Sequence, residues 1–161
     1  MSRLSEELQI VPMITPEAYG GAGVDSDAID MSRFSSVTFV FQFGDVTGDS
    51  TLICYPGSTN AIAVAKSATA IAFKYRLSAA AALTTLGDTY GDPVAVAYTG
   101  LILTAATFDD HTMLVEFDCD QMTTTNRFIV WAVSSTANPM DLGCVAIGKP
   151  RWPGHTGVTA L

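Results

Sequence analysis

The sequence predicts an all-β protein, an antiparallel β-sandwich of jelly-roll kind with about eight strands and extended N- and C-terminal arms. Three observations lead there. Apolar residues recur at every second position through much of the middle of the chain, the period that sends successive side chains to opposite faces of a strand. The segments carrying that alternation are short. Gly, Pro, Asn and Asp clusters separate them, with no long helical pattern between that would build a parallel α/β sheet.

The clearest strand spans residues 35–43, where Val37, Phe39, Phe41 and Phe43 are apolar and Ser36, Thr38 and Gln42 between them are polar; Val40 departs from the pattern. Gly44 and Gly48 frame a turn into a second strand at 51–55, which Pro56-Gly57-Ser58 ends. In residues 69–77, Ile71, Phe73 and Tyr75 alternate with Ala72, Lys74 and Arg76, so that strand has one charged face turned to solvent. Further strands are predicted at 94–98, 101–105, 111–117, 127–134 and 143–147. Within 128–133 both alternating sets are apolar, so this strand is central, covered by the core on one side and by a loop or a neighbouring subunit on the other. The alanine run at 78–83 is cut short by Thr84, Thr85 and Gly87, and reads as a loop with one helical turn at most.

The ends differ from the middle. Residues 1–24 are expected to form an N-terminal arm, 25–148 the sandwich and 149–161 a C-terminal tail. Pro12 and Pro16 block helix in the arm and leave it extended. Its apolar residues Ile10, Val11, Met13 and Ile14 are candidate partner-binding residues, on the ground that an exposed extended segment of this kind is stabilised by a partner groove. The alternative is an edge strand of its own sandwich. In the tail, Trp152 beside Arg151 is the second candidate anchor, both types being enriched where interfaces concentrate binding energy.

At 161 residues the chain fits one core. No unbroken apolar stretch reaches the roughly 20 residues of a membrane helix, and residues 1–10 carry Arg3, Glu6 and Glu7 with no apolar signal region, so the expectation is a soluble protein without a membrane partner. Charged residues make up 15% of the chain, against about 25% in an average domain, while the net charge is −8. A surface so poor in charge suggests contact with other subunits. Only eight Lys and Arg are present, without a basic run, which argues against nucleic acid as a partner.

Catalytic and metal signatures are missing from the sequence. It contains no phosphate-binding glycine loop and no G-x-S-x-G elbow. His111 and His155 are far apart and form no H-x-x-x-H pair. The acidic pairs Asp45 with Asp49, Asp109 with Asp110 and Asp118 with Asp120 are read as turn caps rather than calcium ligands. Cys54, Cys119 and Cys144 are too few and too widely spaced for a disulfide framework or a zinc site, and are expected to be free thiols of a reducing cytoplasm. Trp131 is assigned to the core by its strand neighbours. The expectation is therefore a protein that is not an enzyme and holds no cofactor.

The run Asp25-Ser26-Asp27-Ala28-Ile29-Asp30-Met31-Ser32-Arg33-Phe34-Ser35-Ser36-Val37-Thr38-Phe39-Val40, followed by Gly44, resembles the opening of small β-sandwich head proteins of tailed bacteriophages. Asn126-Arg127-Phe128-Ile129-Val130-Trp131 resembles their aromatic and basic strand, and Ala146-Ile147-Gly148-Lys149-Pro150-Arg151-Trp152-Pro153 their closing segment. The resemblance implies a capsid decoration or cement protein, bound as a homodimer or homotrimer to the outside of the major capsid protein shell, and made in the host cytoplasm. The alanine run departs from that pattern. Two alternatives stand beside it: a carbohydrate-binding or host-attachment sandwich, and a hydrolase built on paired carboxylates.

Overall fold

The computed structural model describes residues 7–21, 23–66, 68–79, 89–134 and 139–152. They form two antiparallel sheets. The first has the order β1 (Gln9–Tyr19), β11 (Met140–Pro150), β4 (Phe34–Val46), β9 (Thr112–Asp118), β6 (Phe73–Leu77), β7 (Val94–Val96). The second has the order β2 (Val24–Asp25), β10 (Phe128–Val133), β5 (Ser50–Gly57), β8 (Leu101–Leu103), with β3 (Ile29–Asp30) on the same side of β10 as β2. When β2 and β3 are taken as one interrupted strand and the β6–β7 hairpin as an insertion, eight strands remain. Numbered along the chain, they run 1-8-3-6 in one sheet and 2-7-4-5 in the other. This is the jelly-roll order, two interlocked Greek keys.

Local sequence explains the elements. In β4 the alternation places Val37, Phe39, Phe41 and Phe43 inside, and Gly148 on β11 leaves room for the Phe34 ring, which a Cβ at that position would strike. All six residues of β10 are buried. Its Ile129, Trp131 and Val133 face the main core, while Phe128 and Val130 are covered by Ala28 and a helical turn, Ile62–Ala65, so a loop and not a neighbouring subunit provides the second cover. The expected strand at 101–105 ends at Leu103, because Thr104 leads into a helical turn, Ala105–Phe108, that brings Phe108 against Phe43, with ring centroids 5.5 Å apart. The expected strand at 143–147 runs longer at both ends, since Gly143 lies within it beneath Pro16 rather than at a turn. Residues 80–83 of the alanine run lie outside the described residues.

Two sequence expectations about the ends are corrected. Residues 9–19 are no free arm: β1 is the outer strand of the first sheet, paired with β11 from Gln9 opposite Gly148 to Tyr19 opposite Met140. Its two prolines are tolerated because it is an edge, and the pairing shifts register between Pro12 and Ile14 and again between Ile14 and Glu17. That irregularity turns the consecutive Met13 and Ile14 both inward, where they join the main core. At the other end, Lys149 and Pro150 pair with Ser36 and Phe34, so the sheet continues into what was expected to be tail. Residues 153–161 lie outside the described residues.

The interruption between β2 and β3 is filled by Ser26, which is fully buried. Its backbone N–H donates to the Trp131 carbonyl at 2.8 Å, and its hydroxyl oxygen accepts from the Trp131 N–H at 2.8 Å. The same hydroxyl donates to the Asp27 carbonyl. Asp30 anchors the neighbouring turn: its carboxylate accepts from the Ser32 N–H at 3.0 Å and the Ser32 hydroxyl at 2.7 Å, with Arg127 Nε at 3.3 Å and Arg33 Nε at 3.7 Å.

Two stability predictions follow from these placements. Deleting residues 2–14 removes Met13 and Ile14 from the core and uncovers half of β11, so it should lower unfolding free energy by about 3–6 kcal/mol, at about 1.5–3 kcal/mol per buried side chain; a urea midpoint equal to that of the intact chain would restore the free-arm reading. Ser26→Ala strands the buried Trp131 N–H, and a loss of about 1–3 kcal/mol is expected, with Ser26→Thr recovering part of it if its methyl is accommodated. A neutral Ser26→Ala would mean that this hydrogen bond contributes nothing.

Candidate interaction surface

On the outer face of the first sheet, the rule of alternation calls for polar side chains, and part of that face breaks it. The register aligns Pro12, Val145, Val40 and Leu114 in one row across β1, β11, β4 and β9. Beside it Ile10 pairs with Ile147. Val40, the residue that departed from the alternation in the sequence, is thus one link of an apolar band. The band is bordered by charge: Arg76 continues the first row on β6, Glu116 lies opposite Thr38, and Lys149 opposite Ser36. Ile10 is 52% exposed, although the two rows pack side by side.

Of the sequence-predicted partner residues, Ile10 alone among the arm's four points to this outer face; Val11 packs against the core, and Met13 and Ile14 are buried in it. Arg151 continues the pairing beyond β11, its N–H donating to the Arg33 carbonyl at 2.9 Å, while its Nη2 donates to Cys119 Sγ at 3.0 Å. Trp152 is 58% exposed. Ile10 lies opposite Ile147, five residues before Trp152, which corresponds to about 17 Å of extended chain. The two predicted anchors therefore share one end of the sheet without forming one site. Arg151, Arg127, Ser32, Thr123 and Cys119 instead line an open hollow of about 410 Å³ at that end.

The other candidates resolve into structural roles. Trp131 is fully buried, as its neighbours predicted. Asp109 caps a turn by accepting the Val46 N–H at 2.9 Å, and Gln121 Oε1 accepts the Asp118 N–H at 2.8 Å in another. His111 sits in the turn before β9, hydrogen-bonded through Nδ1 to the Asp109 carbonyl. Among the described residues no three His, Cys, Asp or Glu side chains gather as a metal would need, and no helix is long and apolar enough to cross a membrane. His155 lies outside them. All three cysteines are free thiols; burial alone pushes the Cys54 and Cys144 thiols well up from their ordinary range, whereas Cys119 is half-buried at the hollow.

Sequence reasoning missed a second surface. Seven large apolar side chains stand exposed among the described residues, and four of them, Tyr90, Val94, Tyr98 and Ile102, fall on the segment that carries β7 and β8. A signal was available: residues 89–104 hold one ionisable carboxylate, Asp92, and no basic residue.

No family model matches the chain, and no curated protein does. Among solved structures it is similar to the SPBc2 prophage-derived protein YomS at 8% identity, over 88% of this chain and 95% of that one, with a TM-score of 0.41. It is also similar to a Desmodium yellow mottle tymovirus chain (10% identity, 92% and 89% covered, TM-score 0.22). A chain of infectious bursal disease virus, Gt strain, matches at 11% identity, over 89% of this chain and 36% of that one, with a TM-score of 0.21. With TM-scores below 0.5, these likenesses carry neither a family nor a function to this chain.

The thiols provide a test of the packing. At pH 8 a thiol-reactive disulfide reagent should label Cys119 alone in the folded protein, and all three cysteines after denaturation. The raised pKa values of Cys54 and Cys144 mean that above about pH 8.5 the unfolded chain binds fewer protons than the folded one, so stability should fall with rising pH by about 1.4 kcal/mol per unit per thiol. Rapid labelling of a second thiol in the native state would contradict the burial described here.

Proposed function

We propose that the chain is a structural protein of a tailed-bacteriophage virion, a decoration or cement protein that binds the outside of the major capsid protein shell and braces it through protein contacts, without catalysing a reaction. The observation that carries this reading is the apolar band of Ile10, Pro12, Val40, Leu114, Val145 and Ile147 on a sheet face that a solitary sandwich would present as polar. The jelly roll is an architecture shared by capsid proteins and lectins, so it supports the reading as an analogy of fold and leaves the decision to the surface. The surface favours protein contact over a glycan. A sugar site stacks its ligand on exposed rings that line one groove, but here Trp152 stands beyond β11 while Tyr90 and Tyr98 flank β7 in the chain, at the opposite side of the first sheet from Trp152. The low charge of the chain and the resemblance of its opening and closing segments to phage head proteins point the same way.

The test is co-sedimentation of the purified chain with undecorated shells, alongside an Ile10→Lys, Leu114→Lys double variant. The intact chain should pellet with the shells, and the variant should bind at least about tenfold more weakly while melting within a few degrees of the parent. An intact chain that stays in the supernatant would overturn the shell-binding reading, and a variant that binds as well as the parent would remove the band from it.

A further inference from the structure

The two sides of the sandwich treat their open strands differently. On one side, β1 is broken by Pro12 and Pro16 and carries Glu17. Its neighbour in the other sheet is the β2/β3 edge, interrupted at Ser26 and guarded by the Lys66–Asp25 ion pair at 2.9 Å. The Asp27 N–H donates to the Met13 carbonyl at 2.9 Å and ties these two edges together. Prolines, interruptions and charges are the devices that keep a sheet edge from recruiting another strand.

On the opposite side, β7 pairs only with β6 and β8 only with β5 among the described strands. A tight turn joins them, with Gly100 at φ +97° and its N–H donating to the Ala97 carbonyl at 3.0 Å. Pro93, before β7, is the one blunting device there. Val94 is 49% exposed, Tyr98 64% and Ile102 60%, with no charged side chain from Val94 to Thr104. Val94 is in phase with Val96, which packs into the core, so its exposure marks a place where the covering layer stops short.

We propose that this β7–β8 edge is the surface through which two copies of the chain associate, edge against edge, with Val94, Tyr98 and Ile102 at the centre of the contact. A second copy is the occupant that the charge selects. The chain carries a net −8, so two copies repel wherever their acidic faces meet, whereas residues 89–104 hold Asp92 as their one charged side chain, so two copies meet along this edge with little like charge between them. An unpaired strand adds its backbone hydrogen bonds to the apolar contact, and the same surface serves both partners about a two-fold axis. The proposal stands whether or not the chain binds a capsid shell.

The full chain in analytical ultracentrifugation should sediment as a dimer at micromolar concentration. Ile102→Lys, which sets like charges close together across the contact, should weaken the association about 30-fold or more with the circular dichroism spectrum kept, and Tyr98→Glu should act in the same direction. Ile10→Lys, on the other side of the sandwich, should leave the dimer intact. Amide exchange measured on the parent above and below its dissociation constant should show concentration-dependent protection of residues 94–103, a reading that holds even where a variant fails to fold. A parent that remains monomeric at about 100 µM, or an assembly indifferent to both edge substitutions and without that protection, overturns the proposal. So does a chain that is monomeric alone and loses shell binding through Ile102→Lys, because the edge then belongs to the shell protein.

Discussion

Trp131 is where the two sheets are joined. It projects from β10 of one sheet into a ring of phenylalanines supplied by the other, with centroids 5.3 Å from Phe39, 5.1 Å from Phe41, 5.0 Å from Phe73 and 6.2 Å from Phe117. The first three meet it edge to face, the arrangement that the ring quadrupoles favour, at about 0.5–1.5 kcal/mol per pair beyond the area buried. Among the described residues the indole Nε1–H has no hydrogen-bond partner, which costs about 1–3 kcal/mol. The contacts outweigh that cost because the ring touches three strands of the facing sheet at once, and nothing smaller would hold β4, β6 and β9 against β10 together.

That single wedge constrains what surrounds it. The backbone of Trp131 must remain in register, which explains why Ser26 bridges the gap between β2 and β3 by engaging both the N–H and the carbonyl of that residue. Phe39 and Phe41, two positions apart, must both turn to the Trp131 side of their sheet, which fixes β4 as a regular strand and leaves Val40 between them on the outside. With β4 fixed, β11 and β1 follow through their pairings, and Gly148 yields its side-chain space to Phe34 at the end of the same strand. The apolar band on the outer face is thus set in place by the order inside.

How much of this was legible in the sequence depends on whether the signal was local. The phenylalanine alternation of β4, the doubly apolar β10 and the jelly-roll class came from period two and turn residues, which act within a strand's length. The role of β1 was not legible in the same way. Two prolines erase its alternation, and only the presence of β11 beside it shows that an irregular strand with two bulges can still bury Met13 and Ile14. The partner residues suffered from the same limit: apolar character identified Ile10, Val11, Met13 and Ile14 alike, but which of them face outward depends on register shifts that no spacing encodes. Arg151 and Trp152 were read as one anchor, whereas the structure ties Arg151 to Cys119 and leaves Trp152 exposed. Cross-strand rows such as Pro12, Val145, Val40 and Leu114 join residues over a hundred positions apart and exist only once the sheet is ordered.

Low charge has a different meaning on each surface. Averaged over the chain, 15% charged residues suggested contact with other molecules without saying where. In the fold the deficit is unevenly spread. The β1 and β2/β3 side carries prolines, Glu17 and the Asp25–Lys66 pair, the protections of an edge that remains in water. The β7–β8 side has Pro93 and no charged side chain from Val94 to Thr104, and the outer band of the first sheet has charge only at its border; the two lie on different parts of the molecule. A protein with two such surfaces can meet a copy of itself on one and a larger assembly on the other. The proposed shell contact and the proposed self-association would therefore not compete for the same side chains.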